Sequence, residues 1–147
     1  MKKYRNSDLI NLAENGYFDV IIHGCNCFHT MGAGIALALS KKYPEIRTAD
    51  KTTTYGDKSK LGNFTSYDNG KFIIINGYTQ YGFGENKSQV NYDAIKKLFQ
   101  KIKLIFHGKK IGYPKIGAGL AGGDWNIISS IIDKELEGED HALVLLD

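Results

Sequence analysis

Short apolar runs alternate along the chain with helical spacings, and this pattern predicts strands alternating with helices. Residues 20–22 and 72–76 are apolar and largely β-branched, as is typical of strands that are covered on both faces. Between positions 90 and 106 apolar residues recur every three or four positions with lysines between them, which predicts an amphipathic surface helix. The same reasoning predicts a weak helix at 9–15, helices at 35–42 and 124–136, and strands at 110–114 and 142–146.

A turn signal divides the middle of the chain into two strands. Asp68-Asn69-Gly70 lies between β-prone runs at 61–67 and 71–78, which predicts a hairpin whose more apolar second strand is the more central one. Residues 47–60 are polar and predict a loop or an irregular edge, and residues 1–19 predict a short leader before the first strand. The order of elements predicts one α/β domain over residues 1–147, a three-layer α/β/α sandwich around a mixed, largely parallel sheet.

Two glycine-rich turns connect predicted strands to predicted helices. Gly24, Gly32 and Gly34 belong to the first glycine loop (residues 24–34), and KIGAGLAGG forms the second glycine loop (residues 115–123). A helix N-terminus presents unpaired N–H groups and positive potential, so an anion, above all a phosphate, is the expected ligand. Because both loops follow strands at their carboxyl ends, we expect them to face one crevice and to hold a diphosphate.

Other binding motifs fit this sequence less well. Residues 117–122 match the dinucleotide fingerprint, but that fingerprint requires a following strand with an acidic residue about 20 positions on and then further βα units, and this sequence ends at Asp147. Neither loop has the Gly-Lys-Ser/Thr ending of a nucleotide triphosphatase. A zinc site is one hypothesis for the alternating His23, Cys25, Cys27 and His29. However, neighbouring side chains on one face of a strand lie roughly 6.6 to 6.8 Å apart. Tetrahedral ligands must lie within about 4 Å of one another, so we predict buried thiols and no metal.

Composition agrees with one soluble domain that binds an anion. The 147 residues are 42% hydrophobic, which suits a single buried core, and the net charge of +3 comes from dispersed lysines rather than from a basic patch. No apolar run reaches transmembrane length and the first residues have no signal-peptide core, so we expect a cytoplasmic monomer without membrane association. The two cysteines are compatible with a reducing compartment.

NCFHTMGAGIA (residues 26–36) and PKIGAGLAGGDW (residues 114–125) together resemble the two phosphate-binding loops of the macro domain, an ADP-ribose-binding α/β module. The similarity covers nearly the whole chain and is greatest to the small ADP-ribose 1''-phosphate phosphatase-like proteins of yeast and phages. It implies ADP-ribose or ADP-ribose 1''-phosphate as ligand, no cofactor, and hydrolysis at C1''. A de-ADP-ribosylating hydrolase that acts on a modified protein or nucleic acid, and a non-catalytic reader, remain alternatives.

The resemblance assigns roles to individual residues. Asp8 matches the acid that accepts a hydrogen bond from the adenine amino group, although it could equally be a helix N-cap. Asn26 matches the asparagine that contacts the distal ribose, with a turn-forming role as the alternative. Tyr78, Tyr81 and Phe83, in the glycine-aromatic stretch at the end of the predicted strand at 71–78, are expected to wall the distal ribose or to act as a lid, with core packing as the alternative for Tyr78. Further ligand-binding positions are expected beside the adenine and in the two loops: Leu9, Met31, Gly32, Ala33, Gly34, Ile35, Ile116, Gly117, Ala118, Gly119 and Leu120.

Three residues are candidates for catalysis: Asn26, His29 and Asp124. An imidazole at His29 could move a proton near the distal phosphate, or it could only line the loop. Asp124 could activate water, but it also occupies the N-cap position of the following helix. The related glutamate-ADP-ribose hydrolases have an aspartate where this chain has Ala121 and a lysine after the middle strand, where this chain has none before Lys87. This departure favours a phosphatase or another C1'' hydrolase.

Overall fold

A mixed sheet of six strands forms the centre of the molecule in the computed structural model, which describes residues 1–83, 89–119 and 121–147. The strands are β1 (Lys2–Tyr4), β2 (Val20–Cys25), β3 (Phe64–Asp68), β4 (Ile73–Tyr78), β5 (Lys110–Tyr113) and β6 (Asp140–Val144). Their order across the sheet is β1-β6-β5-β2-β4-β3, and only β3 runs antiparallel to its neighbour. The predicted mixed, largely parallel sheet is therefore confirmed.

Helices cover both faces of this sheet. They are α1 (Leu9–Glu14), α2 (Gly34–Lys42), α3 (Glu45–Asp50), α4 (Tyr92–Ile105) and α5 (Trp125–Glu135), and a 3-10 turn spans Lys58–Lys60. Ile21 and Ile74 point to the face where they pack with Leu9, Leu39 and Ile46 of the first three helices. The next residues along each strand, Ile22 and Ile75, point to the opposite face and pack with residues of α4 and α5 such as Leu98 and Ile128. This alternation of side chains along each strand produces the predicted three layers. Among the described residues, the helices include none that is both long and apolar enough to span a membrane.

The periodicity located most elements correctly. The hairpin around Asn69 pairs β3 with β4, and β4 lies inside the sheet while β3 forms its edge, as its apolar sequence predicted. The long amphipathic helix is α4, which buries Leu98, Phe99 and Ile102 and leaves Lys96 exposed. The strand predicted at residues 20–22 is β2, and it extends three residues beyond the predicted end, to Cys25.

Two predictions about irregular regions were wrong. Residues 2–4 form an edge strand rather than a leader, because Lys2, Lys3 and Tyr4 pair in parallel with β6 although they are polar or charged. The polar stretch 47–60 is not a continuous loop, because α3 extends to Asp50 and the 3-10 turn begins at Lys58. Both elements depend on contacts that are distant in sequence, and for this reason local hydrophobic patterning did not reveal them.

A polar cluster lies inside the layer between β2, β4 and α3. The His23 side chain is fully buried and its Nε2 donates to Asn76 Oδ1 over 2.6 Å, while Asn76 Nδ2 donates to the Ile46 carbonyl over 2.9 Å. Burial lowers the pKa of the His23 imidazole because desolvation disfavours its charged form, and the hydrogen bond to Asn76 offsets only part of this effect. Burial likewise lowers the pKa of His141, with a smaller contribution from the N-terminal ammonium.

These buried imidazoles predict acid-sensitive stability. A histidine that is neutral in the folded protein takes up a proton on unfolding once the pH falls below its unfolded pKa of about 6.5, so the free energy of unfolding decreases as the pH falls through that value. We expect a loss of about 1 kcal/mol from His23 alone between pH 7.5 and 5.5, a range in which carboxylates remain ionised. Urea denaturation at the two pH values measures it. His23→Gln should flatten the pH dependence whatever its absolute stability, and an unchanged slope would contradict the assignment.

Candidate functional site

The two glycine loops line one cavity. β2 and β5 are neighbouring parallel strands, with Val20 opposite Ile111, so the loops that follow them leave the sheet side by side. The cavity between these loops has a volume of about 550 Å³. Its described lining comprises Gly24, Cys25, Asn26, Thr30, Met31, Gly32, Ala33, Gly34, Ile35, Ala36, Gln80, Phe83, Pro114, Lys115, Ile116, Gly117, Gly119 and Ala121.

The first glycine loop presents a helix N-terminus to this cavity. α2 begins at Gly34, and its N-cap, Ala33, has no side-chain acceptor for the N–H groups of the first turn. Gly34, Ile35 and Ala36 line the cavity, so these unpaired donors and the positive end of the helix dipole lie at its wall. Lys115 adds a cationic side chain from the opposite loop. An anionic group is the ligand that this wall would accommodate best.

The second glycine loop depends on tight backbone turns. Gly117 has a φ of +76°, and the Gly123 N–H donates to its carbonyl over 2.7 Å. A Cβ on Gly117 would lie 2.6 Å from Val90 Cγ2, whereas one on Gly119 would meet no heavy atom of the described residues within 4 Å. Gly117 therefore maintains the fold of the loop, and Gly119 leaves open space beside the cavity.

Gly24, near the end of β2, leaves room for two neighbouring side chains at the cavity. A Cβ at this position would lie 2.7 Å from Thr79 Oγ1 and 3.2 Å from Ile116 Cγ2. Thr79 directly follows β4, and its N–H continues the pairing of β4 with β2 by donating to the Cys25 carbonyl over 3.2 Å. A side chain at position 24 would therefore require the side chain of Thr79 or Ile116 to move.

Asn26 lines the cavity, and its amide braces the turn. Its Nδ2 donates to Thr30 Oγ1 over 2.6 Å and to the Thr30 carbonyl over 3.2 Å, and its Oδ1 accepts from the Phe28 N–H over 2.8 Å. The turn-forming role that the sequence left open is therefore observed. The contact with a distal ribose stays a prediction.

The other two candidate catalytic residues do not line the cavity. His29 Nε2 lies 3.0 Å from the Thr53 carbonyl oxygen and 3.1 Å from Thr53 Oγ1. Asp124 is the N-cap of α5, where its Oδ1 accepts from the Asn126 N–H over 2.9 Å. The structural alternatives considered for both residues are thus present, and their roles in catalysis stay predictions.

Several expected ligand-binding residues also lie away from the described lining. Asp8 caps α1 by accepting from the Asn11 N–H over 3.0 Å, and Leu9 is buried in the core. Ala118 packs against the apolar cluster beneath α4 and α5. The Tyr81 hydroxyl donates to the Gly56 carbonyl over 2.9 Å, and Tyr81 does not belong to the described lining, so its role beside the distal ribose or as a lid stays a prediction. Leu120 lies outside the described residues.

Sequence reasoning missed part of the lining. Gln80, Thr30 and Cys25 contribute to it, although none of them was among the residues expected to bind, and Phe83 of the expected glycine-aromatic stretch lines it as well. Gln80 follows β4, the other parallel neighbour of β2. Its position at the carboxyl end of a central strand is the signal that could have identified it.

The structural class of the chain is shown by comparison with solved structures. The macrodomain of Thermus aquaticus DarG superposes with a TM-score of 0.74 at 18% identity, over 98% of this chain and 96% of that chain. A Thermosipho africanus DarTG structure in complex with ADP-ribose has a TM-score of 0.77 at 15% identity, over 99% of this chain and 42% of that chain. At these identities the likeness establishes the fold.

Sequence relatives agree with the fold. An ADP-ribose 1''-phosphate phosphatase of the yeast Lodderomyces elongisporus is 26% identical over 99% of this chain and 98% of its own length. The chain belongs to the macro domain family. An uncharacterised 17.5 kDa protein of bacteriophage T4 is 39% identical over 89% of this macro domain and 87% of its own length. No family model matches the chain. The resemblance inferred from the two loops, to the yeast and phage branch, is confirmed.

The contrast between two glycines of this macro domain predicts their tolerance to substitution. Gly117→Ala places a side chain at positive φ against Val90 and should lower the free energy of unfolding by about 2 kcal/mol. Gly119→Ala should change it by less than about 0.5 kcal/mol, because the space is open. Thermal and urea denaturation of both variants measure the difference. Equal destabilisation would show that the second glycine loop is not constrained as described.

Proposed function

We propose that this macro domain binds ADP-ribose in the cavity between its two glycine loops and hydrolyses a substituent at C1'', with ADP-ribose 1''-phosphate as substrate. The observation that supports this most strongly is that two loops rich in small residues line one cavity at the carboxyl ends of β2 and β5. The yeast relative is named for that phosphatase activity, and the Thermosipho neighbour was solved with ADP-ribose.

The proposed binding mode relies on the main chain. The pyrophosphate would accept hydrogen bonds from N–H groups at the start of α2 and in the second glycine loop, with Lys115 adding positive charge. Glycine and alanine at these positions allow the phosphates to approach the backbone closely. Met31, Ile35 and Ile116 would provide apolar contact on either side.

The proposed reaction consumes water and releases inorganic phosphate and ADP-ribose. Contacts with the adenosine and the pyrophosphate would supply binding energy remote from the reacting phosphate, and Asn26 would orient the distal ribose. His29 and Asp124 are the candidates for assisting the attacking water. Neither belongs to the described cavity lining. Turnover and folding of their variants must therefore both be measured, to separate a direct role in catalysis from an effect on the fold.

A second candidate function is a non-catalytic reader of ADP-ribose. The described lining contains no aspartate, glutamate or histidine, and these are the side chains that most often serve as general acid or base. Gln80 also stands near the end of β4 where the related hydrolases use a lysine. A reader would bind ADP-ribose and turn over no C1'' conjugate.

A negative charge introduced beside the cavity tests the anion-binding wall. Ala33→Glu places a carboxylate at the N-terminus of α2 beside the cavity, and it should weaken ADP-ribose binding at least about tenfold through repulsion and loss of access. Ala38→Glu makes the same change on an exposed position of the same helix, away from the lining. Its dissociation constant should stay within about twofold of the wild type, because exposed charges are screened by solvent and salt. Isothermal titration calorimetry measures both, and equal effects would place the anion elsewhere.

Hydrolysis is tested by phosphate release. Wild-type protein incubated with ADP-ribose 1''-phosphate should release phosphate above the buffer rate, and Asn26→Ala should lower kcat/KM by about tenfold or more. His29→Ala and Asp124→Ala should slow release without abolishing ADP-ribose binding. Calorimetric binding without phosphate release, and without loss of label from an ADP-ribosylated protein or nucleic acid, would favour the reader. Loss of label alone would favour the de-ADP-ribosylating hydrolase.

A further inference from the structure

A segment of the chain that does not belong to the described cavity lining contacts the first glycine loop. This segment, the brace (residues 50–60), comprises the end of α3 and the chain up to the 3-10 turn. The Gly56 N–H donates to the Cys27 carbonyl over 2.7 Å, and the Phe28 ring packs against Gly56. His29 reaches the brace at Thr53. The loop that lines the cavity is thus held by residues that do not line it themselves.

Thr53 is the centre of these contacts. Its hydroxyl donates to the Asp50 carbonyl over 2.6 Å. The same oxygen lies 2.9 Å from Lys60 Nζ and 3.1 Å from His29 Nε2. A hydroxyl has one hydrogen to donate and two lone pairs to accept with, so these three partners use all of its capacity.

This arrangement determines which nitrogen of His29 carries hydrogen. The single Thr53 hydroxyl hydrogen is directed to Asp50, and Lys60 can only donate, so the hydroxyl oxygen must accept from His29. The Thr53 carbonyl, 3.0 Å from the same Nε2, is also only an acceptor. His29 Nε2 is therefore protonated in this arrangement and has no lone pair with which to accept a proton from water.

The contact also offsets backbone strain in the loop. His29 has a φ of +58°, a region that costs a residue with a Cβ of order 1–2 kcal/mol.

On the other side of Thr53 the contacts continue into the core. Lys60 is 6% exposed and lies over the Tyr78 ring at 5.4 Å, and the Tyr78 hydroxyl donates to Asp50 Oδ1 over 2.7 Å. Thr53 is thus anchored to the sheet and transmits that anchoring to the first glycine loop.

We propose that Thr53 is a positioning residue, which holds His29 and thereby keeps the first glycine loop in the conformation that binds ADP-ribose. His29 then acts on the ligand through the position of the loop rather than by accepting a proton at Nε2. This inference rests on the proposed function, because it takes ADP-ribose as the ligand of the cavity. It names Thr53 and Lys60, which do not belong to the described cavity lining, as determinants of affinity.

The test substitutes Thr53 by an isosteric residue without a hydroxyl. Thr53→Val should weaken ADP-ribose binding by about tenfold, the effect of roughly one hydrogen bond and the ordering that it maintains. Thr53→Ser keeps the hydroxyl and should restore the affinity to within about threefold of the wild type. Thr52→Val is the matched control, because Thr52 Oγ1 donates only to the Ala49 carbonyl at the surface and should leave the affinity unchanged. Calorimetry is carried out at a temperature at which unfolding curves show every variant to be folded.

A double-mutant cycle separates this role from general destabilisation. If Thr53 acts through His29, Thr53→Val and His29→Ala combined should weaken binding no more than His29→Ala alone. Additive losses would overturn the inference, as would a Thr53→Val variant that binds like the wild type.

His29→Gln provides a second measurement that does not depend on Thr53 variants. It keeps an N–H donor without a basic nitrogen, so its affinity and any phosphate release should stay within about threefold of the wild type. A collapse of phosphate release at unchanged affinity would instead make His29 a proton-transfer residue and defeat the inference. Failure of the wild-type protein to bind ADP-ribose would defeat the proposed function itself, a result distinct from both.

Discussion

The parallel pairing of β2 with β5 at the centre of the sheet is the constraint on which the site depends. Parallel neighbours end at the same edge, so the loops that follow them must leave the sheet together. The chain between these strands supplies α2, α3 and α4, which cover the two faces, and the hairpin of β3 and β4, which extends the sheet. The cavity is therefore a consequence of topology, and the glycines determine how closely a ligand can approach its wall.

The two loops are supported in different ways. The second glycine loop is stabilised by backbone geometry, with Gly117 at positive φ and a main-chain hydrogen bond to its carbonyl. The first glycine loop relies on side chains behind it, from Asn26 bracing its turn to His29 contacting the brace. Asp50 and Lys60 are buried there, and hydrogen bonds with Tyr78 and Thr53 respectively offset the cost of burying them. The rigidity of one wall thus depends on a buried polar network, and that of the other does not.

The sequence predicted elements whose stability is visible locally. The spacing of apolar residues in α4, the Asn-Gly turn between β3 and β4, and the glycines after β2 and β5 each carry their own signal. β1 was missed because three polar residues become a strand only when β6 is beside them. α3 was missed because Ile46 is the one buried apolar residue described in it and its later residues, up to the buried Asp50, belong to a polar stretch. The contact between His29 and Thr53 joins positions 24 residues apart, and no pattern along the chain could indicate it.

The absence of a side chain at Gly24 has an evolutionary consequence. The Thr79 hydroxyl and the Ile116 methyl group already occupy the place of a Cβ at this position. A lineage that acquired alanine at position 24 would therefore need a smaller residue at position 79 in compensation. These two positions, 55 apart in the chain, should drift as a pair among descendants of this protein.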